Sequence, residues 1–317
     1  MSDGHAHHHH LLHEHHHHHH HHAVPGASGL LWVTLLNALI TAAEFAGGFF
    51  SGSLSLLSDA VHNLGDTLSV AFAYVAGRIG SRKASLRYTF GYKRAEILAA
   101  FVNAALLIAI CLFLLAEAWE RWQSPSEIDG GLMLGVAFVG LAGNLISVLL
   151  LYRGRRESIN IRAAYLHLLG DALSSVAVIL GAGAIILFRA FWIDPLITVL
   201  VSLYILIHAW EILKEAADIL MQSAPEGVDV PAVIAEIERL PNVDNVHHLH
   251  LWRLSEEQIH FEAHIAVLPA MTMQQMEETR RRIQVILEKR GIGHSTLQIE
   301  VEGCAECSRL IVDEGGR

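Results

Sequence analysis

The sequence predicts an all-α membrane domain of six spanning helices, followed by a small α+β domain. Three observations predict it. Hydrophobic residues make up 52% of the 317-residue chain, and they cluster in blocks instead of being spread evenly. Each block is long enough to cross roughly 30 Å of hydrocarbon, about 20 helical residues. From about Pro225 the pattern changes to short runs of strand and helix character.

Residues Met1 to His22 form a low-complexity histidine tract. Such a composition cannot build a core; it reads as a disordered, metal-collecting tail over residues 1–28. Leu11, Leu12 and Glu14 interrupt the tract, which looks more native than an expression tag. The N-terminus has no basic stretch ahead of its first apolar run, so no cleavable signal peptide is expected.

The membrane domain is placed at residues 29–215. Its first span runs from about Leu30 to Phe50 and the second from about Leu54 to Gly77, with Gly52 turning the chain between them. The third runs from about Glu96 to Ala118 and is closed by Pro125. The fourth covers Leu132 to Tyr152 and the fifth Ala163 to Phe188. Pro195 opens the sixth, about Ile193 to Leu213.

Basic residues set the orientation. The connection between spans two and three holds Arg78, Arg82, Lys83, Arg87, Lys93 and Arg94, and the one between four and five holds Arg153, Arg155, Arg156 and Arg162. The connections on the opposite side hold only Arg121 and Arg189. By the positive-inside rule the first two connections are cytoplasmic, and so are both termini. The formal charge of -10 comes largely from the C-terminal third. No basic stripe with interleaved aromatics is present, so no nucleic-acid partner is expected.

The last domain is placed at residues 224–317. Val230 to Leu240 reads as an amphipathic helix, Val243 to Leu254 and Gln258 to Leu268 as strands, and Thr272 to Arg290 as a second helix with Thr272 as its N-cap. His294 to Val301 reads as a third strand. The order αββαβ suits an antiparallel sheet covered by two helices.

The chemistry is concentrated in two strings inside apolar runs, His62-Asn63-Leu64-Gly65-Asp66 and His167-Leu168-Leu169-Gly170-Asp171. A spacing of four places each His and Asp on one helix face, one turn apart. Ionisable side chains at membrane depth are costly and mark ion or proton paths. His62, Asp66, His167 and Asp171 make a complete set of two imidazoles and two carboxylates for a zinc-type divalent ion, with Co²⁺ and Cd²⁺ also suited. A structural role in helix–helix hydrogen bonding leaves the repeated spacing unexplained. Asp59, one turn before His62, is a candidate to orient an imidazole. Asn37, Glu44, Asn103 and Asn144 read as packing groups between helices, and Cys111 as core. Metal binding requires neutral imidazole and ionised carboxylate, so it expels protons. One site can then exchange Zn²⁺ for H⁺ across a bilayer. No bond is broken, so the chain is not read as an enzyme. A membrane-embedded sensor or store is the alternative, although sensing needs no site at membrane depth. The last domain adds His247, His248, His250, His264, His294, Glu300, Cys304 and Cys307 as possible ligands, while His260 reads as a solvent-facing strand residue.

These strings resemble a known family. Ser58-Asp59-Ala60-Val61-His62 through Asp66 resembles the second-span signature of the cation diffusion facilitators. Phe90-Gly91-Tyr92-Lys93-Arg94-Ala95-Glu96 resembles their approach to span three, and Asn160 through Asp171 their fifth span. Val246-His247-His248-Leu249-His250-Leu251-Trp252 resembles their cytoplasmic domain. The likeness runs in order from about Leu30 to Cys307, nearest to the bacterial zinc, cobalt and cadmium resistance exporters and their vesicular zinc-transporter relatives. It implies a homodimer, a metallochaperone-like cytoplasmic fold, and proton-coupled antiport by alternating access; a bacterial inner membrane is expected over a vesicle membrane, since the sequence shows no eukaryotic sorting signal. It further implies Zn²⁺ ligation by His247, His264 and Glu300, with Cys304 and Cys307 where vesicular relatives carry cysteine ligands. One branch also binds metal on the loop before span three. Here that loop offers Ser85, Tyr88 and Tyr92, so no loop site is expected.

Overall fold

The computed structural model describes residues 27–152, 159–255 and 258–301. Six long helices come first: α1 (Ala27–Ser51), α2 (Leu54–Gly80), α3 (Ala95–Gln123), α4 (Gly130–Leu151), α5 (Ile159–Phe188) and α6 (Ile193–Leu220). Among the described residues, four stretches are long and apolar enough to cross a membrane: Ala95–Gln123, Gly130–Leu151, Tyr165–Phe188 and Ile193–Leu220. α2 carries Asp59, His62 and Asp66, which dilute its apolar character. α6 runs seven residues past the expected end of its span, Leu213 to Leu220, and Glu215 on this extension pairs with Arg253 at 3.1 Å. The extension thereby touches the domain that follows.

Helices α3 and α6 pack along each other, as do α4 and α5, while α1 lies against α2 and α4. Small residues permit the α1–α4 approach: a Cβ on Gly140 would stand 2.6 Å from Glu44 Oε1. The expected packing groups do join helices. Asn37 Nδ2 donates to the Asn63 carbonyl at 3.3 Å, Asn63 Nδ2 to Glu44 at 2.7 Å, Asn103 Nδ2 to Ser69 at 2.8 Å and Asn144 Nδ2 to Ser175 at 3.4 Å. Cys111 is fully buried.

At the end of the bundle away from the basic connections, one residue pins two helices. Asp194, in the first turn of α6 and wholly buried, accepts the Ser53 and Ser55 hydroxyls at 2.6 Å each. It also accepts the Leu54 N–H at 2.8 Å and the Ser55 N–H at 3.1 Å. Ser53 is itself the N-cap of α2 and accepts from the Leu56 N–H. The free N–H groups of α2 are thus satisfied across 140 residues of sequence.

The second domain comprises α7 (Val230–Glu238), β1 (Val243–Arg253), β2 (Ile259–Val267), α8 (Met273–Lys289) and β3 (His294–Val301). Thr272 and Gln275 form a reciprocal capping box at the start of α8. The sheet order is β1-β2-β3, with β1–β2 antiparallel and β2–β3 parallel. This corrects the expected all-antiparallel sheet. Between β2 and β3 the chain crosses over through α8, and a crossover returns the strand in the same direction. Both helices cover one face: Val233, Ile237, Ile283 and Leu287 pack on Val246, Leu249, Leu251, Phe261, Ala263 and Ile265. The polar residues of the strands are left on the other face.

Candidate metal centres

α2 and α5 bring His62, Asp66, His167 and Asp171 together, with one donor atom from each lying within 4.8 Å of all the others. The closer contacts run between helices. His62 Nε2 lies 3.2 Å from Asp171 Oδ1, and His167 Nε2 lies 2.9 Å from Asp66 Oδ2. Within a helix the corresponding distances are 4.0 Å for His62–Asp66 and 3.8 Å for His167–Asp171. A tetrahedral Zn²⁺ with ligands near 2.05 Å has a ligand–ligand edge of about 3.3 Å. The four His–carboxylate distances bracket that value.

The environment of the quartet is graded. The Asp171 side chain is 3% exposed and His62 16%, against 32% for Asp66 and 43% for His167. Asp171 Oδ2 is buried and accepts no hydrogen bond. A buried carboxylate oxygen without a donor is costly unless a cation or proton meets it. Asp59 stands outside the quartet: it is 2% exposed and accepts the Ser174 hydroxyl at 2.5 Å.

A second cluster forms on the open face of the sheet. His264 Nδ1 lies 2.9 Å from Glu300 Oε1, and His247 Nε2 lies 3.3 Å from Glu300 Oε2. The latter contact is not aligned as a hydrogen bond, leaving His247 Nε2 buried and unpartnered. Its Nδ1 is held by Asn245 Oδ1 at 2.9 Å, which orients the ring with Nε2 toward the cluster. A β-bulge builds this cluster. His247 pairs with His264 and His250 with Glu262, so β1 spends three residues where β2 spends two. The extra residue, His248, has φ of 48° and stacks on His264 at 4.6 Å. Two consecutive histidines therefore reach one face.

His250 lies beside His248, ring centroids 5.1 Å apart, but belongs to neither cluster. His294 lies at the other end of the sheet against His260, at 4.5 Å. His260 corrects an expectation: it is 7% exposed, stacked on Trp252 at 5.4 Å and met edge-on by Phe90 at 5.6 Å. The α2–α3 connection closes over it. Burial, with His294 alongside, lowers the His260 pKa below the ordinary histidine value. On that connection Tyr88 and Tyr92 stack at 4.7 Å. Cys304, Cys307 and the histidine tract lie outside the described residues. Sequence reasoning passed over Asn245 and Asp194. Asn245 gives no signal in sequence, whereas the Ser-Gly-Ser-Leu-Ser run at Ser51 does mark a helix start in need of an acceptor.

Comparison with known families bears on both domains. Residues 30–221 match the cation efflux transmembrane domain, and residues 225–302 match the cation efflux protein cytoplasmic domain. The chain belongs to the cation diffusion facilitator family. As a cation diffusion facilitator it is an integral membrane protein with a helical transmembrane domain and a small cytoplasmic α+β domain. It is 39% identical over 261 residues to the cadmium, cobalt and zinc/H(+)-K(+) antiporter of Bacillus subtilis (strain 168), covering 82% of this chain and 84% of that protein. It is 38% identical over 284 residues to the zinc transporter ZitB of Escherichia coli (strain K12), covering 88% of each. The metal cation efflux system protein CzcD of Cupriavidus metallidurans (strain ATCC 43123 / DSM 2839 / NBRC 102507 / CH34) is 38% identical over 272 residues, covering 86% of this chain and 85% of that one. The family is one of cation transporters and not a class of enzymes.

Proposed function

We propose that the chain exports Zn²⁺ from the cytoplasm in exchange for protons, with Co²⁺ and Cd²⁺ as further substrates. His62, Asp66, His167 and Asp171 form the transport site between α2 and α5. The observation that carries this reading is the quartet itself: four donors within 4.8 Å of one another, with Asp171 Oδ2 buried and without a hydrogen-bond partner. The cadmium, cobalt and zinc named for the Bacillus subtilis relative and the zinc named for the Escherichia coli one support the substrate class. A store or sensor would place its ligands in the cytoplasmic domain alone, which disfavours that alternative. No step in this cycle makes or breaks a covalent bond, so the chain is a carrier and not an enzyme.

In this reading all six long helices span the membrane, with both termini and the basic connections in the cytoplasm. The bacterial relatives support an inner-membrane location. Along α2, residues 58 to 61 are buried, while residues 69 to 71, 74 and 75 toward the basic connection are exposed. Asp66 and His167 are the quartet members nearer the basic ends of their helices, and they are the more exposed pair. This gradient supports a conformation open to the cytoplasm, one half of an alternating-access cycle. The match to a family cytoplasmic domain supports assembly as a homodimer. His247, His264 and Glu300, with Cys304 and Cys307, would hold regulatory Zn²⁺ there. The test is reconstitution into proteoliposomes with an imposed pH gradient and a Zn²⁺ indicator inside. Zn²⁺ uptake driven by the gradient, with matching proton release, is expected. Zn²⁺ binding without uptake would establish the sensor or store instead.

A further inference from the structure

The connection between α2 and α3, residues 81–94, carries Arg82, Lys83, Arg87, Lys93 and Arg94 and no acidic residue. Among the described residues none of these cations makes a salt bridge. Apolar groups stand in the open among them: Leu86 is fully exposed, Tyr88 41% and Phe90 56% exposed. The segment is an ordered turn and not a slack tether. The Ser85 and Gly91 N–H groups both donate to the Tyr88 carbonyl, at 3.0 and 2.9 Å, and Gly91 supplies the required φ of 71°.

Behind this turn is a pocket of about 570 Å³. Phe90 and Tyr92 of the turn, Leu98 of α3, Leu220 of α6 and Trp252 of β1 form its apolar wall. Lys93 and Arg94 form its charged edge, and Arg94 Nε is buried with no hydrogen-bond partner. The pocket lies at the start of one candidate span, α3, and the end of another, α6.

We propose that this pocket binds one anionic phospholipid, its phosphate on Arg94 and Lys93 and its upper acyl chain against the aromatic wall. A desolvated guanidinium nitrogen without an acceptor calls for an anion. Aromatic and leucine side chains mixed with cations at a span terminus match the interface between headgroups and acyl chains. A free anion would leave the apolar wall wet. A second copy brought to this site by a two-fold axis would set the same five cations against themselves. Bound lipid would join α3 and α6 to β1, and so hold the cytoplasmic sheet to the bundle at the place where Phe90 meets His260.

The experiment is native mass spectrometry of the detergent-solubilised full chain titrated with phosphatidylglycerol or phosphatidylcholine. One phosphatidylglycerol per chain is expected to persist under activation that strips phosphatidylcholine. Lys93→Gln combined with Arg94→Gln should weaken it by about tenfold or more, and Arg94→Lys should retain it. Trp252→Ala, which keeps both cations, should also weaken it. If the double variant folds poorly, Lys93→Gln and Trp252→Ala still decide the matter. Equal retention of the two lipids would overturn the proposal. So would displacement of phosphatidylglycerol by inorganic phosphate at equal concentration, which would make this a free-anion site. A shift from dimer to monomer in the variants, with lipid adducts unchanged, would overturn it in favour of a protein interface.

Discussion

Asp66 Oδ2 lies 2.9 Å from His167 Nε2, across 101 positions of sequence and between two helices. It lies 4.0 Å from His62 Nε2, only one turn away on its own helix. The same inversion holds for Asp171, whose near imidazole is His62 on α2. Each His-Asp motif is therefore completed by its counterpart. The site's shortest edges measure the gap between α2 and α5, so any motion that separates these helices dismantles it. A carrier needs that property, because a site held within one rigid helix could not release its ion on rearrangement.

The quartet's dependence on charge yields the first prediction. Asp171→Ala, and the near-isosteric Asp171→Asn, should lower Zn²⁺ transport in proteoliposomes by more than about 100-fold, since changes to groups behind metal ligands already cost 10- to 100-fold. Three ligands with a single carboxylate cannot offset dehydration of a dication in a low-dielectric site. The variants should still elute as folded dimers. Transport at the parent rate by either one would remove Asp171 from the path.

Selectivity gives a second. His62→Asp replaces an imidazole by a third carboxylate in the quartet. The nitrogen preference that suits Zn²⁺ is relaxed, and added negative charge favours larger and harder ions. Competition between Zn²⁺ and Cd²⁺ should shift toward Cd²⁺ by about tenfold, a difference of about 1.4 kcal/mol. An unaltered preference measured in the same assay would contradict the ligand role of His62.

How much of this was legible beforehand follows from the range of each interaction. His62 and Asp66 share a face because helix periodicity is local, so the spacing sufficed. The crossed pairing with α5 is tertiary and has no local signature. The element order of the cytoplasmic domain could be read from period and caps, Thr272 above all. The parallel β2–β3 pairing was implicit in the α8 crossover but was overlooked. His260 alternates as a solvent-facing residue should. It is buried because Phe90, 170 positions earlier, folds over it, and no strand pattern reports that. Asp194 gives the same lesson: an acid beside Pro195 looks like a helix start, yet it caps a different helix.

The burial of His260 makes stability depend on pH. Its folded pKa lies below the ordinary value of 6.5, through burial and the adjacent His294. The unfolded chain therefore takes up a proton first as pH falls. The stabilisation is fully present above about pH 6.5 and is lost as pH drops through that value toward the folded pKa. The thermal midpoint of the full chain should fall between about pH 7.5 and about pH 5.5. His260→Phe, which keeps the ring contacts with Phe90 and Trp252, should make that fall smaller. An equal fall in parent and variant would show that His260 does not contribute.

Asp194 supports the far end of the bundle. Its replacement by Ala leaves two buried hydroxyls and two N–H groups of the α2 start without their acceptor. A lost hydrogen bond to a charged group costs about 1.5–3 kcal/mol, and several are lost together, so a penalty of roughly 3 kcal/mol or more is expected. Asp194→Asn keeps one acceptor oxygen and should cost less. Denaturation followed in detergent by Trp fluorescence would rank the three proteins. Equal stability for Asp194→Ala would mean that water replaces the carboxylate at this cap.

The cytoplasmic cluster should bind Zn²⁺ independently of the membrane quartet. Glu300 reaches both imidazoles, at 2.9 and 3.3 Å, and His247 Nε2 has no hydrogen-bond partner. Asn245 fixes the ring that carries that atom. Replacing His247 and His264 together by Ala should remove one high-affinity Zn²⁺ per chain in calorimetry on the full-length protein. Transport should fall in part and not to zero, because the membrane quartet stays intact and a regulatory ion only shifts populations by its difference in affinity between two states. Asn245→Ala should weaken the same binding step by about 10- to 100-fold without removing a ligand. Unchanged stoichiometry in the double variant would take these residues out of metal binding. Unchanged transport beside reduced stoichiometry would leave a metal site without a regulatory part.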